Sequence, residues 1–185
     1  MSRYVALLRG INVGGKNLIK MTDLKACFED LGFQDVRTYI QSGNVLFSAA
    51  GSNAKLTKQV EAALSKTFNY QSRAVVRSLT QMKDIVTNAP KGFGSDPANY
   101  RYDVLFLKEP LTAKEAMKSI SIKEGVDEAF SRKGVLYFSR LNSKATQSHL
   151  NRIASMPVYQ SMTLRNWNTT TKLLNMMEAV DQLRK

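Results

Sequence analysis

The chain writes one hairpin twice. "SGNVLFS" at 42–48 lines up with "KGVLYFS" at 133–139. Each is a small glycine-bearing turn opening onto a short apolar run that ends in Phe-Ser, the signal of a strand returning from a tight turn. A second pair, "AVVRS" (74–78) and "MTLRN" (162–166), repeats in the same relative place, each leading into a helical pattern. A chain of 185 residues written this way is constrained to two related units that share one order of elements.

Hydrophobic periodicity supplies that order. Residues 3–9 read as a buried strand. A helix capped by Thr22 or Asp23 runs to about Leu31, with Leu24, Cys27, Phe28 and Leu31 on one face. Strand 36–41, turn 42–44 and strand 45–48 follow, then a helix from about Ala54 to Phe68, strand 72–78 and a short helix near 80–86. "NAPKGFGSDPAN" (88–99) is loop-like, rich in Gly, Pro and Asn. Beyond it the order recurs: strand 101–107, a helix near 112–120, strand 127–132, a Lys133–Gly134 turn, strand 135–139, a helix near 146–154 and strand 161–166. A last helix runs from about Thr169 to Leu183, with Leu173, Met176, Met177, Val180 and Leu183 inward. The expected fold class is α+β, a tandem duplication of a ferredoxin-like βαββαβ unit, each followed by a helix. Residues 1–90 form the first subdomain, 91–100 the linker and 101–185 the second.

In such a unit the first two strands run parallel with the third between them. The loop after strand one, "GINVGGKN" (10–17), should therefore face the hairpin "QSGN" (41–44), with Arg73 at the same end. Gly10, Gly15 and Lys16 give G-x-x-x-x-G-K, the body of a phosphate-binding P-loop. Two departures argue against nucleotide hydrolysis. The helix begins several residues after Lys16, and Asn17 stands where a hydroxyl would bind magnesium. What survives is an anion cradle: backbone amides at Gly14–Gly15, with charge from Arg9 and Lys16.

The second cluster is "LRNWNTTTK" (164–172). Arg165 leaves a strand, Asn166 and Trp167 form the junction, and Asn168 or Thr169 caps the helix that carries Lys172. Hydroxyls, helix amides and two cations suit a phosphate or carboxylate. The single tryptophan serves as a stacking platform for a base or as a plug between the two halves.

Composition narrows the function classes. There are 27 basic and 15 acidic residues, a net charge of +12, which suits a polyanionic or phosphorylated partner. The charge is spread over both halves, so it belongs to the folded body. Apolar runs such as "YVALL" and "VLFL" are too short to span a bilayer, and "MSRYVALL" carries no leader pattern. A cytoplasmic protein is the default. One cysteine, Cys27, and one histidine, His149, exclude an internal disulfide and argue against a Cys/His zinc site. No metal or cofactor motif is legible.

No catalytic set is legible either. Residues 9–20 and 164–172 contain no carboxylate. Asp23 reads as a helix cap and Asp103 as a strand end. His149 has no assignable partner. In RNA-recognition domains of this topology, aromatic residues on two strands stack bases. "KGVLYFSR" (133–140) keeps Lys133, Gly134 and Tyr137 of that motif but loses the rest.

"YVALLRGINVGGKN", "VRTYIQSGNVLFS" and "LRNWNTTTKLL" resemble the three signatures of a bacterial domain-of-unknown-function family, number sixteen ninety-seven. The resemblance implies two related α+β subdomains, a bacterial cytosolic setting and no established activity. It adds weight to Arg9, Asn12, Gly14, Gly15, Ser42, Gly43, Asn44, Arg165, Asn166, Trp167, Asn168 and Lys172. The family's usual Ser-Lys-Leu-Thr is "SKAT" here, with Ala145 departing from it. The expectation is a binding protein for an anionic ligand: a nucleotide, a phosphorylated metabolite or a nucleic-acid backbone. The alternatives are a metal-independent small-molecule enzyme with a site between the subdomains, and an RNA- or DNA-binding protein.

Overall fold

The computed structural model describes residues 1–179. Eight strands form two four-stranded antiparallel sheets, accompanied by helices. The described chain divides into two compact units, Met1–Lys83 with residues 172–179, and Asp84–Thr171.

In the first unit, β1 (Ser2–Leu8) is central. It pairs with β3 (Asn44–Ala49) on one side and β4 (Ala74–Ser78) on the other, and β2 (Gln34–Tyr39) pairs with β3 at the edge. Val5 stands opposite Leu46 on β3 and Arg77 on β4. Two helices, α1 (Met21–Asp30) and α2 (Asn53–Phe68), connect the strands. Their buried residues, Leu24, Cys27 and Phe28 from α1 and Leu56, Val60 and Leu64 from α2, meet Tyr4, Ala6, Val45 and Phe47 of the sheet in one core. Phe33 stacks on Phe47 at 4.5 Å, and Phe28 meets the edge of both. Burying such rings supplies most of the driving force for a sheet covered by helices. Burial also pushes the Cys27 thiol up, which leaves it a weak nucleophile. The first helix is not capped by Thr22 or Asp23. Lys20 takes the cap position without a side-chain bond, and both residues fall in the first turn.

In the second unit, β5 (Tyr100–Leu107) is central between β7 (Val135–Leu141) and β8 (Met162–Asn166), with β6 (Asp127–Arg132) at the edge. Val104 stands opposite Tyr137 on β7 and Arg165 on β8. Helix α3 (Leu79–Thr87) precedes β5, and α4 (Ala113–Lys118) follows it. A capping box closes α4: the Thr112 side chain accepts from the Glu115 amide, and Glu115 accepts from the Thr112 amide. The helix expected near 146–154 does not form. Three short 3-10 segments, Asn142–Gln147, His149–Ser155 and Pro157–Ser161, fill the crossover instead. Local side chains capture the backbone there. Ser148 accepts from the Leu150 amide, Asn151 donates to the Ala145 carbonyl, and Ser155 donates to the Arg152 carbonyl. Helix α5 (Trp167–Ala179) ends the described chain. Leu173 and Met177 are buried on it as expected, Met176 is half-buried, and Val180 and Leu183 lie outside the described residues.

Candidate functional site

In the first unit the β1 loop and the hairpin do share one end of the sheet. The Leu8 amide donates to the Gly43 carbonyl at 2.8 Å, and the Arg9 amide to the Arg73 carbonyl at 2.9 Å. The side chain of Asn12 then clips the loop shut. Its Nδ2 donates to the carbonyls of Ile19 and Gln41, both at 3.0 Å, while its Oδ1 accepts from the Ile19 amide at 2.8 Å. Asn17 donates to the Gly10 carbonyl. Gly14 and Gly15, both at positive φ, form a two-residue turn between Val13 and Lys16, and the Lys16 amide is spent on the Val13 carbonyl at 3.1 Å. Lys16 is exposed and Arg9 half-buried. Asn44 is fully buried and donates to the Tyr39 carbonyl and the Ser42 hydroxyl. Gly43 is required by space as well as by its φ of +78°. A Cβ there would sit 2.7 Å from Ile11 Cδ1 and 2.8 Å from Leu8 Cβ.

The "RNWN" junction lies in the second unit, at the step from β8 into α5. Asn166, not Asn168 or Thr169, caps the helix: its Oδ1 accepts from the Asn168 amide at 3.0 Å, and its Nδ2 donates to the Tyr102 carbonyl at 3.0 Å. The hydroxyls of Thr170 and Thr171 bond back to the carbonyls of Asn166, Trp167 and Asn168. Arg165 is buried within the sheet and donates to the Leu164 carbonyl. Burial lowers its pKa to about 10. Lys172 is exposed further along α5 and groups with the first unit.

Trp167 is half-buried and packs edge-on against Phe93, their centroids 5.1 Å apart. Phe93 comes from the loop-like stretch 88–99 and also meets Tyr102 and Tyr137 edge-on. A Cβ on neighbouring Gly94 would overlap the indole. One side of Trp167 lines a cavity of about 280 Å³, shared with Tyr100, Arg101, Asn142, Asn166 and Asn168. The guanidinium of Arg101 pairs through Nε with Asp103 Oδ2 at 2.7 Å, and that bond raises its pKa. Tyr100, Arg101 and Asn142 escaped the reading of the sequence. The available signal was "YRYD" at 100–103, two aromatics alternating with an ion pair at strand period. Asp103 is not a strand end but a mid-strand residue, opposite Asn166.

Two further expectations meet the geometry here. Tyr137 is fully buried, with its hydroxyl on the Ile85 carbonyl at 2.7 Å, so it offers no face to a base. His149 does have a partner: its Nδ1 lies 2.9 Å from Ser121 Oγ. The buried carboxylate of Asp127 accepts from the His149 backbone amide, not its ring, so the three groups do not form a relay. Among the described residues no group of three His, Cys, Asp or Glu side chains could hold a metal ion, and no helix is long and apolar enough to cross a membrane.

Known proteins match this architecture. A family model described as "Protein of unknown function (DUF1697)" covers residues 1–137. The chain belongs to that family. The first two signatures lie inside the matched span, and "LRNWNTTTKLL" lies beyond it. A solved structure, that of the conserved bacterial protein SP0830 from Streptococcus pneumoniae, is 28% identical with a TM-score of 0.83. The match covers 95% of this chain and 98% of that one. No curated protein matches the chain.

Proposed function

We propose that this chain is a binding protein for an anionic ligand, and that the ligand is a nucleotide seated beside Trp167. The observation that carries the reading is the cavity of about 280 Å³ with an indole, a phenol and a guanidinium on its walls. Trp167 lines that cavity, and stacking of a base on an aromatic side chain is worth about 1–3 kcal/mol. Arg101 supplies charge to a phosphate, and the Asn168 carboxamide lies within the same lining. The net charge of +12 adds long-range attraction for the same class of ligand. Arg9, Lys16 and the Gly14–Gly15 turn are a second cationic locus within this proposal, and a cytoplasmic setting goes with a nucleotide ligand.

Common ancestry of the two units belongs to the same reading. Both sheets share one strand order, β2-β3-β1-β4 and β6-β7-β5-β8. Val5 between Leu46 and Arg77 has its counterpart in Val104 between Tyr137 and Arg165. Duplication of one ferredoxin-like unit explains that shared register, with the second crossover helix replaced by 3-10 turns.

Trp167 is the only tryptophan, so its fluorescence reports on this cavity alone. Titration with AMP, ATP, inorganic phosphate and a short single-stranded RNA should quench it saturably with the nucleotides. Arg101→Gln should weaken AMP binding by about tenfold, the loss of one charge-assisted hydrogen bond. An unchanged emission spectrum and an unchanged unfolding midpoint with all four probes would sink the proposal. Saturation by RNA alone would move it to nucleic acid. The Ser121–His149 contact supports a second reading, a metal-independent hydrolase. Turnover of model esters that is lost in Ser121→Ala would favour it.

A further inference from the structure

Exposed apolar side chains are unevenly spread over the molecule. Among the described residues six large ones are exposed, and three of them stand at one end of the first sheet: Val13 at 64%, Leu18 at 75% and Ile40 at 47%. One carboxamide gathers them. Asn12, next to Val13 in the chain, bonds the carbonyls of Ile19 and Gln41, whose chain neighbours are Leu18 and Ile40. Val13 opens the glycine turn and bridges to Lys16. A Cβ added at Gly14 or Gly15 would meet no atom within 4 Å, so the turn projects into open space. A cluster of exposed apolar side chains with a polar rim marks an interaction surface.

Ile40 sharpens the point. Its φ is +47°, in the left-handed region, where Asn12 (+53°) and Asn17 (+48°) of the facing loop also sit. Asparagine tolerates that region, whereas a β-branched side chain there is strained. With 47% of its surface exposed, Ile40 gains little burial in return. Asparagine or glycine would relieve the strain, so the turn itself does not account for an isoleucine. The surroundings carry one sign of charge. Lys16 and Lys20 are exposed, and the backbones of Arg9 and Arg73 are joined at this end. Residues 9–20 and 36–48 contain no carboxylate. The next acid after the loop is Asp23, in the first turn of α1.

We propose that this end of the first unit docks on an anionic lipid bilayer. Val13, Leu18 and Ile40 enter the boundary between headgroups and acyl chains, and Lys16 and Lys20 meet the acidic headgroups. Attachment without a spanning helix takes two signals, apolar insertion and basic attraction, and this surface holds both. Other occupants fit less well. A second copy of the chain would bring the same cations face to face. RNA would use the lysines and leave three aliphatic side chains in water. A stable protein partner covers roughly 800 Å² on each side, far more than these side chains supply. The cavity beside Trp167 is lined by residues of the second unit, so this proposal and the nucleotide reading stand or fall separately.

The test is co-sedimentation of the full chain with two kinds of vesicle, phosphatidylglycerol mixed equally with phosphatidylcholine, and phosphatidylcholine alone, in about 0.1 M salt. Affinity should be at least about tenfold higher for the mixed vesicles and should fall in about 1 M salt. Leu18→Gln combined with Ile40→Asn keeps every charge and should cut the affinity by at least about tenfold. Ile40→Asn alone should also raise the urea midpoint, because asparagine suits the left-handed backbone, so its loss of vesicle binding is not a loss of fold. Should the double variant fail to fold, Val13→Gln on the open turn carries the same expectation. No binding to the mixed vesicles, equal affinity for the two kinds, or a folded variant that binds as the wild type does overturns the proposal. So does a double variant that keeps the vesicles and loses a short single-stranded RNA, which would assign the surface to nucleic acid.

Discussion

The loop "GINVGGKN" and the junction "RNWN" are both signature segments, both rich in asparagine, and both sit where a strand hands over to the next element. They differ in what is left once the backbone has been served. In the first, Asn12 and Asn17 bond main-chain atoms, as does Asn44 in the hairpin at the same end of the sheet, and the glycine pair makes a turn exposed to solvent. In the second, Asn166 caps a helix in the same manner, but its neighbours Trp167 and Asn168 line a cavity. Asparagine in a motif is thus first a device for closing turns and helix ends, because its short carboxamide mimics a peptide group. Function has to be sought in the side chains that the backbone does not consume.

Two glycine substitutions set these regions against each other. Gly43→Ala should destabilise the first unit by about 3 kcal/mol or more, since a methyl group at positive φ would also strike Leu8 and Ile11. Chemical denaturation measures it, and nucleotide binding by the chain that remains folded should be unaltered. Gly94→Ala should do the reverse. Its methyl group meets a ring that borders open space, so the indole is displaced, Trp167 emission shifts and nucleotide binding falls by at least about tenfold. Equal effects of the two changes on binding would break the comparison.

Removal of one carboxamide is the next largest effect. Asn12→Ala deletes three bonds from a partly buried clip and should cost about 2 kcal/mol. The affinity at Trp167 should not move. If Asn12→Ala instead abolished binding while the unfolding midpoint stayed put, the loop would be the ligand site and the clip incidental.

How much of this was legible in the sequence follows from the range of the forces involved. The strands were legible because apolar alternation and turn glycines act over a few residues, and the pairing of "SGNVLFS" with "KGVLYFS" carried the common order. The helix near 146–154 was misread because Ser148, Asn151 and Ser155 bond their own neighbours, a competition that periodicity does not register. The helix caps were misplaced by two or three residues for a related reason. Asn166 and Asn168 are both competent caps, and only the path of β8 selects the former. The grouping of Arg101, Asp103 and Arg140 was missed because strand pairing brings them together across the sequence. The partner of His149 was hidden likewise, since Ser121 lies in a different connection.

The smallest effect discriminates two matched core positions, Leu46 in the first sheet and Tyr137 in the second. Both stand opposite the central valine of their sheet and both are buried, yet only Tyr137 can titrate. Burial of its ring raises the phenol from the ordinary 10.0 to about 12. In the unfolded chain the same phenol gives up its proton near pH 10, so between the two values the unfolded state binds fewer protons than the folded one. Stability from this residue is therefore fully present below pH 10, falls as pH rises towards about 12, and then levels off. Tyr137→Phe should flatten that fall without abolishing it, because burial raises the Tyr70 phenol too. At neutral pH the same change costs about 1 kcal/mol, the bond to the Ile85 carbonyl. Urea midpoints of the two proteins should therefore differ by a constant amount below pH 10 and draw together as pH rises above it. Parallel curves would mean that the Tyr137 hydroxyl reaches solvent, and the matched positions would then differ in exposure and not only in chemistry.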